Sequence, residues 1–131
     1  MAKVLIVEDS QSQAMIISEI VKSAGHEPTV APNLQKGIAP VLKSANPDVV
    51  LLDLILLGPD GKTIGDGFQF CKEIKKLSNN TVGVVIVSSR VDEESAQWAE
   101  LQGADAMLQK PFVVEDLIEV MDEVLQKFKK R

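Results

Sequence analysis

The stretch that decides the fold is Val-Val-Leu-Leu-Asp at residues 49–53, an uninterrupted apolar run that ends in a carboxylate. A strand of a parallel sheet is covered on both faces, so it is apolar at consecutive positions rather than at alternate ones. Three more largely apolar runs follow this pattern, VLIV at 4–7, VVIV at 84–87 and AMLQ at 106–109. These four runs predict adjacent strands of a parallel sheet.

Amphipathic stretches lie between the apolar runs and predict helices. The first is bounded by Ser10, a good N-cap residue, and by Gly25, a good stop signal. The other helices are expected from Asn33, over 68–77, over 93–101 and over 115–128, with a short edge strand at 29–31. Five strands that alternate with five helices predict an α/β fold with a doubly wound parallel sheet.

Two segments interrupt this alternation. Gly37 and Pro40 fall inside the second predicted helix, where a proline removes an amide donor, so we expect a kink or a break. Residues 54–67, LILLGPDGKTIGDG, are rich in Gly, Pro and Asp and predict an extended loop.

Composition limits the class of protein. The chain has 131 residues, of which 45% are apolar, so we expect one domain over residues 1–131. Its net charge of −5 argues against direct binding of nucleic acid. Cys71 is the single cysteine, which excludes an internal disulfide and favours a cytoplasmic location. No stretch approaches the roughly 20 apolar residues of a membrane helix.

Polar side chains follow the four apolar runs at the edge where their carboxyl ends should meet. They are Glu8, Asp9, Asp53, Ser88 and Lys110. Magnesium prefers oxygen ligands such as these carboxylates, and it would reduce their mutual repulsion. A hydroxyl and an ammonium group could then contact the oxygens of a phosphate. The pattern therefore predicts magnesium-assisted phosphoryl transfer onto Asp53.

These residues, together with the segment GADAMLQKPF at 103–112, resemble the receiver domain of two-component response regulators. The resemblance covers essentially the whole chain. It implies a flavodoxin-like sheet with strand order 2-1-3-4-5.

The resemblance also implies roles for individual residues. Asp53 would be the phosphoacceptor and Ser88 the switch hydroxyl, while Lys110 would contact the phosphate. The peptide bond before Pro111 would be cis. The magnesium ligands would be Glu8, Asp9, Asp53 and the backbone carbonyl of Ile55.

Partners follow from the same resemblance. A sensor histidine kinase or a phosphotransfer protein would donate the phosphoryl group, and the chain would catalyse only its own phosphorylation and dephosphorylation. A downstream effector protein or an output domain would read the surface of the fourth helix, fifth strand and fifth helix. We expect a monomer or a weak dimer promoted by phosphorylation, acting either alone or as part of a longer regulator.

The chain departs from the family pattern at three places. Met107 occupies the position of the usual switch aromatic, so the signal would pass through different packing. An insertion of about six residues is expected around 58–66, beside the acceptor. Ile55 and Arg90 occupy the positions that control water access to the acyl phosphate, and we expect these bulky side chains to slow self-dephosphorylation.

Three other functions share parts of the pattern. A phosphatase of the haloacid-dehalogenase kind would need an acid at position 55, which is Ile. A flavin-binding protein would need a phosphate loop after the first strand, where the sequence reads EDSQSQ. A phosphorylation-independent binding module remains the main alternative, although all five site residues are present.

Trp98 could be an exposed docking residue, but packing against the core is favoured.

Overall fold

The computed structural model describes residues 2–8, 10–31, 37–53, 55–57, 63–88 and 93–129. Strands and helices alternate along most of the chain. In order they are β1 (Lys3–Val7), α1 (Gln11–Ser23), β2 (Glu27–Val30), α2 (Ala39–Ala45), β3 (Val49–Asp53), β4 (Ile55–Leu57), β5 (Thr63–Asp66), α3 (Gly67–Leu77), β6 (Gly83–Ser88), α4 (Glu93–Leu101), β7 (Ala106–Gln109) and α5 (Val114–Lys129).

Five of the strands form one sheet in the order β2-β1-β3-β6-β7, and all of its neighbours are parallel. β4 and β5 form a separate two-stranded antiparallel sheet. If the two hairpin strands are left out and the other five are numbered in chain order, the sheet has the predicted order 2-1-3-4-5. The predicted doubly wound fold with five helices is therefore confirmed.

The core has two layers, one on each face of the sheet. In β3, Val50 and Leu52 pack with residues of α2, α3 and α4, whereas Val49 and Leu51 pack with residues of α1 and α5. All four side chains are buried, which is why the run is apolar at every position. Within the described ranges, no helix is long and apolar enough to cross a membrane.

The expected loop at 54–67 is wrong in part, because it contains the β4–β5 hairpin. Ile55 pairs with Asp66 and Leu56 with Gly65, and the register shifts before Leu57 pairs with Thr63. Two runs with apolar residues flank Asp60-Gly61, a dipeptide typical of hairpin turns. This signal was available in the sequence, although residues 58–62 lie outside the described part of the chain.

The second helix starts at the place where we expected it to be interrupted. α2 begins only at Ala39, so Pro40 lies in the first turn, where its missing amide removes no helical hydrogen bond. Gly37, two residues before α2, has a φ of +84°, a conformation that L side chains rarely adopt. The expected cap at Asn33 lies outside the described residues.

Gly83, at the start of β6, is required by the close approach of α5. A Cβ atom at this position would lie 2.4 Å from Cγ1 of Val124 and 3.1 Å from Cε2 of Phe128. We expect Gly83→Ala to lower the free energy of unfolding by about 1–3 kcal/mol, measured by urea titration. Val124→Ala removes the clashing methyl group, so the double variant should lose less than the sum of the single variants. Simple additivity would contradict this packing account.

Candidate functional site

The parallel register gathers four of the five predicted polar residues at one edge of the sheet. Asp53 is the last residue of β3 and pairs with Val87, the residue before Ser88. Ser88 is in turn paired with Gln109, the residue before Lys110. Glu8 follows β1, the strand on the other side of β3. The ends of four neighbouring strands therefore supply one site.

Lys110 joins two carboxylates at this edge. Its Nζ donates a hydrogen bond of 2.6 Å to Oε2 of Glu8 and lies 3.8 Å from Oδ2 of Asp53. The side chains of Glu8, Asp53 and Lys110 are 4%, 15% and 18% exposed. The other oxygen of Glu8 accepts a hydrogen bond from the backbone N–H of Ser10, at 3.2 Å. A largely desolvated ammonium therefore lies between two carboxylates, in reach of a ligand bound at Asp53.

Ser88 connects this cluster to the following loop. The residue is 3% exposed, and its backbone carbonyl accepts a 2.8 Å hydrogen bond from the N–H of Lys110. The peptide bond between Lys110 and Pro111 is cis. The end of β6 is thus joined to the start of the β7–α5 connection. Arg90, predicted to influence dephosphorylation, lies outside the described residues.

The carboxylate oxygens of Glu8 and Asp53 suit a hard cation such as magnesium. Asp9, the third predicted acid, lies outside the described residues, and among the described residues no three His, Cys, Asp or Glu side chains are grouped to hold a metal. Ile55, whose carbonyl was predicted as a ligand, begins β4 two residues after Asp53. The donor chemistry therefore fits a divalent cation held by oxygen atoms at this edge.

A second ionic cluster lies at the opposite, amino end of the strands, and the sequence pattern did not indicate it. Lys75 donates to Oδ2 of Asp105 at 2.5 Å and to the carbonyl of Val82 at 2.9 Å, while Lys127 donates to Oδ1 of Asp105 at 2.8 Å. The N–H of Val84 donates to Oδ2 as well, at 2.9 Å. This cluster joins α3, β6, β7 and α5 far from Asp53.

The side chain of Asp105 carries a lowered pKa in this cluster. Its burial acts to raise the pKa, but the hydrogen bonds from Lys127, Lys75 and the Val84 amide outweigh burial and lower it. The carboxylate is thus held in its charged form. All three donors contact the same carboxylate, so Asp105 links α3, β6 and α5.

Two residues on the predicted signalling side, Met107 and Trp98, differ in burial. Met107 is half-buried and packs against the core, as part of β7. Trp98 is 51% exposed on α4, so the favoured expectation that it packs inward is wrong. The neighbouring Ala99 is the buried residue of this turn, and adjacent helical residues point about 100° apart.

Comparison with known proteins agrees with the fold and identifies the family. The sequence-family model for the response regulator receiver domain matches residues 4–122. Protein PilH of Pseudomonas aeruginosa is 31% identical over 126 residues, which cover 95% of this chain and 98% of that protein. The KDP operon transcriptional regulatory protein KdpE of Escherichia coli is 34% identical over 117 residues, which cover 89% of this chain but only 48% of that regulator.

A solved structure shows the same likeness. The chemotaxis protein CheY4 of Vibrio cholerae superposes with a TM-score of 0.82 at 27% identity, over 95% of this chain and 98% of that one. The chain thus spans nearly all of PilH and of the CheY4 chain, and about half of the longer regulator KdpE. It belongs to the response regulator receiver domains, the signalling switches of two-component systems.

Proposed function

We propose that this chain is switched by transfer of a phosphoryl group from a phosphohistidine to Asp53. The observation that supports this best is the position of Lys110, which contacts Glu8 and lies 3.8 Å from Asp53. A lysine so placed can change partners when a phosphoryl group arrives. The donor would be a sensor histidine kinase or a phosphotransfer protein.

In the proposed reaction, an oxygen of Asp53 attacks the phosphorus, the P–N bond of the phosphohistidine breaks, and the imidazole leaves with the bonding electrons. Such transfer depends on positioning and on charge stabilisation more than on a proton shuttle. Lys110 and Ser88 would bind the oxygens of the transferred group. Magnesium, held by Glu8, Asp9, Asp53 and the carbonyl of Ile55, would neutralise charge on the phosphoryl oxygens.

The phosphoryl group would then shift a conformational equilibrium. Lys110 would exchange Glu8 for the phosphate, and its backbone bond to Ser88 would transmit the change between β6 and β7. In one state Lys110 is paired with Glu8, and in the other it is paired with the phosphoryl group. The two states therefore differ in free energy. The half-buried Met107 in β7 replaces the usual aromatic as the side chain that repacks.

The surface of α4, β7 and α5 presents exposed apolar side chains and a groove to a partner. Trp98 and Leu101 of α4 are 51% and 74% exposed. A cavity of about 520 Å³ opens between α4, β7 and α5, and Met107 and Phe128 are among its lining residues. Exposed aromatic side chains are often the residues that dominate binding energy. We propose that an effector protein or an output domain binds here.

The phosphodonor would bind around the acceptor edge itself. Met15 and Ile16 in the first turns of α1 are exposed, and so are Val113 and Val114 after the Lys110 segment. Both pairs follow site residues closely in the chain and flank the edge where Asp53 lies. Exposed apolar groups on two sides of a charged site suit a protein donor that must come within bonding distance.

The acyl phosphate is expected to be long-lived. Ile55 and Arg90 occupy the water-control positions, and large side chains there should hinder attack by water. With magnesium present, we expect the acyl phosphate to have a half-life of minutes to hours, measured as loss of radiolabel from the protein. The half-life should be shorter in Arg90→Gly. A half-life of seconds in the unaltered protein would contradict this proposal.

The proposed setting is cytoplasmic, with residues 1–131 as one receiver domain that exists as a monomer or a weak dimer promoted by phosphorylation. The test is incubation with phosphoramidate and magnesium, read by intact mass, with EDTA as the control. A single added phosphoryl group that requires magnesium is the expected result. No labelling by phosphoramidate or by a phosphohistidine protein would favour the phosphorylation-independent binding module.

A further inference from the structure

The hairpin returns an acidic residue to the acceptor edge. Ile55, two residues after Asp53, pairs with Asp66 in the antiparallel register of β4 and β5. Directly paired residues of antiparallel strands have Cα atoms roughly 4.5–5.5 Å apart. Asp66 is therefore a neighbour in space of the residue whose carbonyl is a proposed metal ligand.

We infer that Asp66 is a further acidic residue of this site and that its charge strengthens the binding of a divalent cation. The inference rests on the proposed function, because it concerns the same cation. It needs no direct coordination, since a carboxylate acts on a cation through space.

Two features of the site weaken its attraction for a cation. Lys110 already neutralises part of the charge of Glu8 and Asp53, with contacts of 2.6 Å and 3.8 Å. In addition, α3 begins at Gly67, directly after Asp66, so the positive end of its dipole lies at the hairpin. Both effects disfavour a second positive charge. A negative charge at Asp66 would offset them.

The competing explanation is that Asp66 only caps α3, and the choice of substitution separates the two. Asn and Ser cap helices about as well as Asp but carry no charge. Glu keeps the charge. Cation affinity should therefore follow charge across Asp66→Asn, Asp66→Ser and Asp66→Glu, whereas a capping role would follow helix stability.

The experiment is a titration with Mn²⁺, in which the EPR signal of the free ion gives the dissociation constant. We expect Asp66→Asn and Asp66→Ser to weaken binding about three- to tenfold, and high salt to reduce the difference. Asp66→Glu should bind nearly as tightly as the unaltered protein. Glu27→Gln, an exposed carboxylate at the opposite end of the sheet, is the matched charge control and should have no effect.

The outcomes separate this inference from the proposed function. If Asp53→Asn weakens Mn²⁺ binding but Asp66→Asn and Asp66→Ser bind like the unaltered protein, only the role of Asp66 is overturned. If the unaltered protein shows no saturable binding, or Asp53→Asn binds equally well, the proposed cation site is overturned together with it. Urea unfolding of each variant shows whether loss of a cap has contributed.

Discussion

Asp53→Asn is expected to abolish magnesium-dependent phosphoryl labelling, down to the level seen with EDTA. An amide oxygen is a much weaker nucleophile than a carboxylate, and the substitution also removes one proposed metal ligand. The side chains are nearly the same size, so the partly buried site should keep its packing. Intact mass after incubation with phosphoramidate measures the effect.

Two comparisons make this result specific. Asp48→Asn changes a carboxylate just before the other end of the same strand, where Asp48 accepts a hydrogen bond from the Lys3 amide, and it should label normally. Lys110→Ala removes the cation beside Asp53 and should slow labelling roughly 100-fold. Full labelling of Asp53→Asn would show that the acceptor lies elsewhere.

The second large effect concerns stability rather than signalling. Asp105→Ala is expected to lower the free energy of unfolding by about 3–5 kcal/mol, because it leaves a buried ammonium without its counter-ion. Lys75 and Asp105 are 9% and 5% exposed, whereas Lys127 is 59% exposed. Lys127→Ala should therefore cost less than about 1 kcal/mol. Urea unfolding of both variants measures the contrast, and equal losses would contradict the argument that the cost comes from leaving the buried Lys75 without its counter-ion.

The pH dependence of this effect has a defined sign. The pKa of Asp105 is lowered in the folded state, so the folded protein binds the proton less readily than the unfolded chain does. The contribution of Asp105 is thus fully present above its ordinary pKa of 3.8 and is lost as the pH falls through the folded value. The stability difference between the unaltered protein and Asp105→Asn should shrink under acid. A difference that grew under acid would reverse the sign.

Much of the fold could be predicted because burial leaves a direct trace in the sequence. β3 and β6 are covered on both faces, so their runs are apolar at every position and stand out from the amphipathic helices. The candidate site could be predicted for a related reason. In a parallel sheet, residues after consecutive strands meet at one edge, so their chain positions alone bring Glu8, Asp53 and Lys110 together.

The features that escaped prediction depend on contacts between distant parts of the chain. The pairing of Lys75 with Asp105 joins residues on α3 and before β7, and neither residue has a local signature. Trp98 lies outside the core because Ala99 takes the buried position of its turn, and the choice between such neighbours depends on how α4 packs. The β4–β5 hairpin is a local exception. Its turn signal, Asp60-Gly61, was available in the sequence, but the Gly, Pro and Asp content of residues 54–67 favoured an extended loop.

Peptide mapping of the phosphorylated protein tests the central claim most directly. After brief incubation with phosphoramidate and magnesium, the acyl phosphate is reduced with borohydride, which converts the modified aspartate to homoserine, and the protein is digested for mass spectrometry. The account predicts a single modified residue, Asp53, and none when magnesium is removed. Modification at any other residue, or labelling that is independent of magnesium, would contradict it.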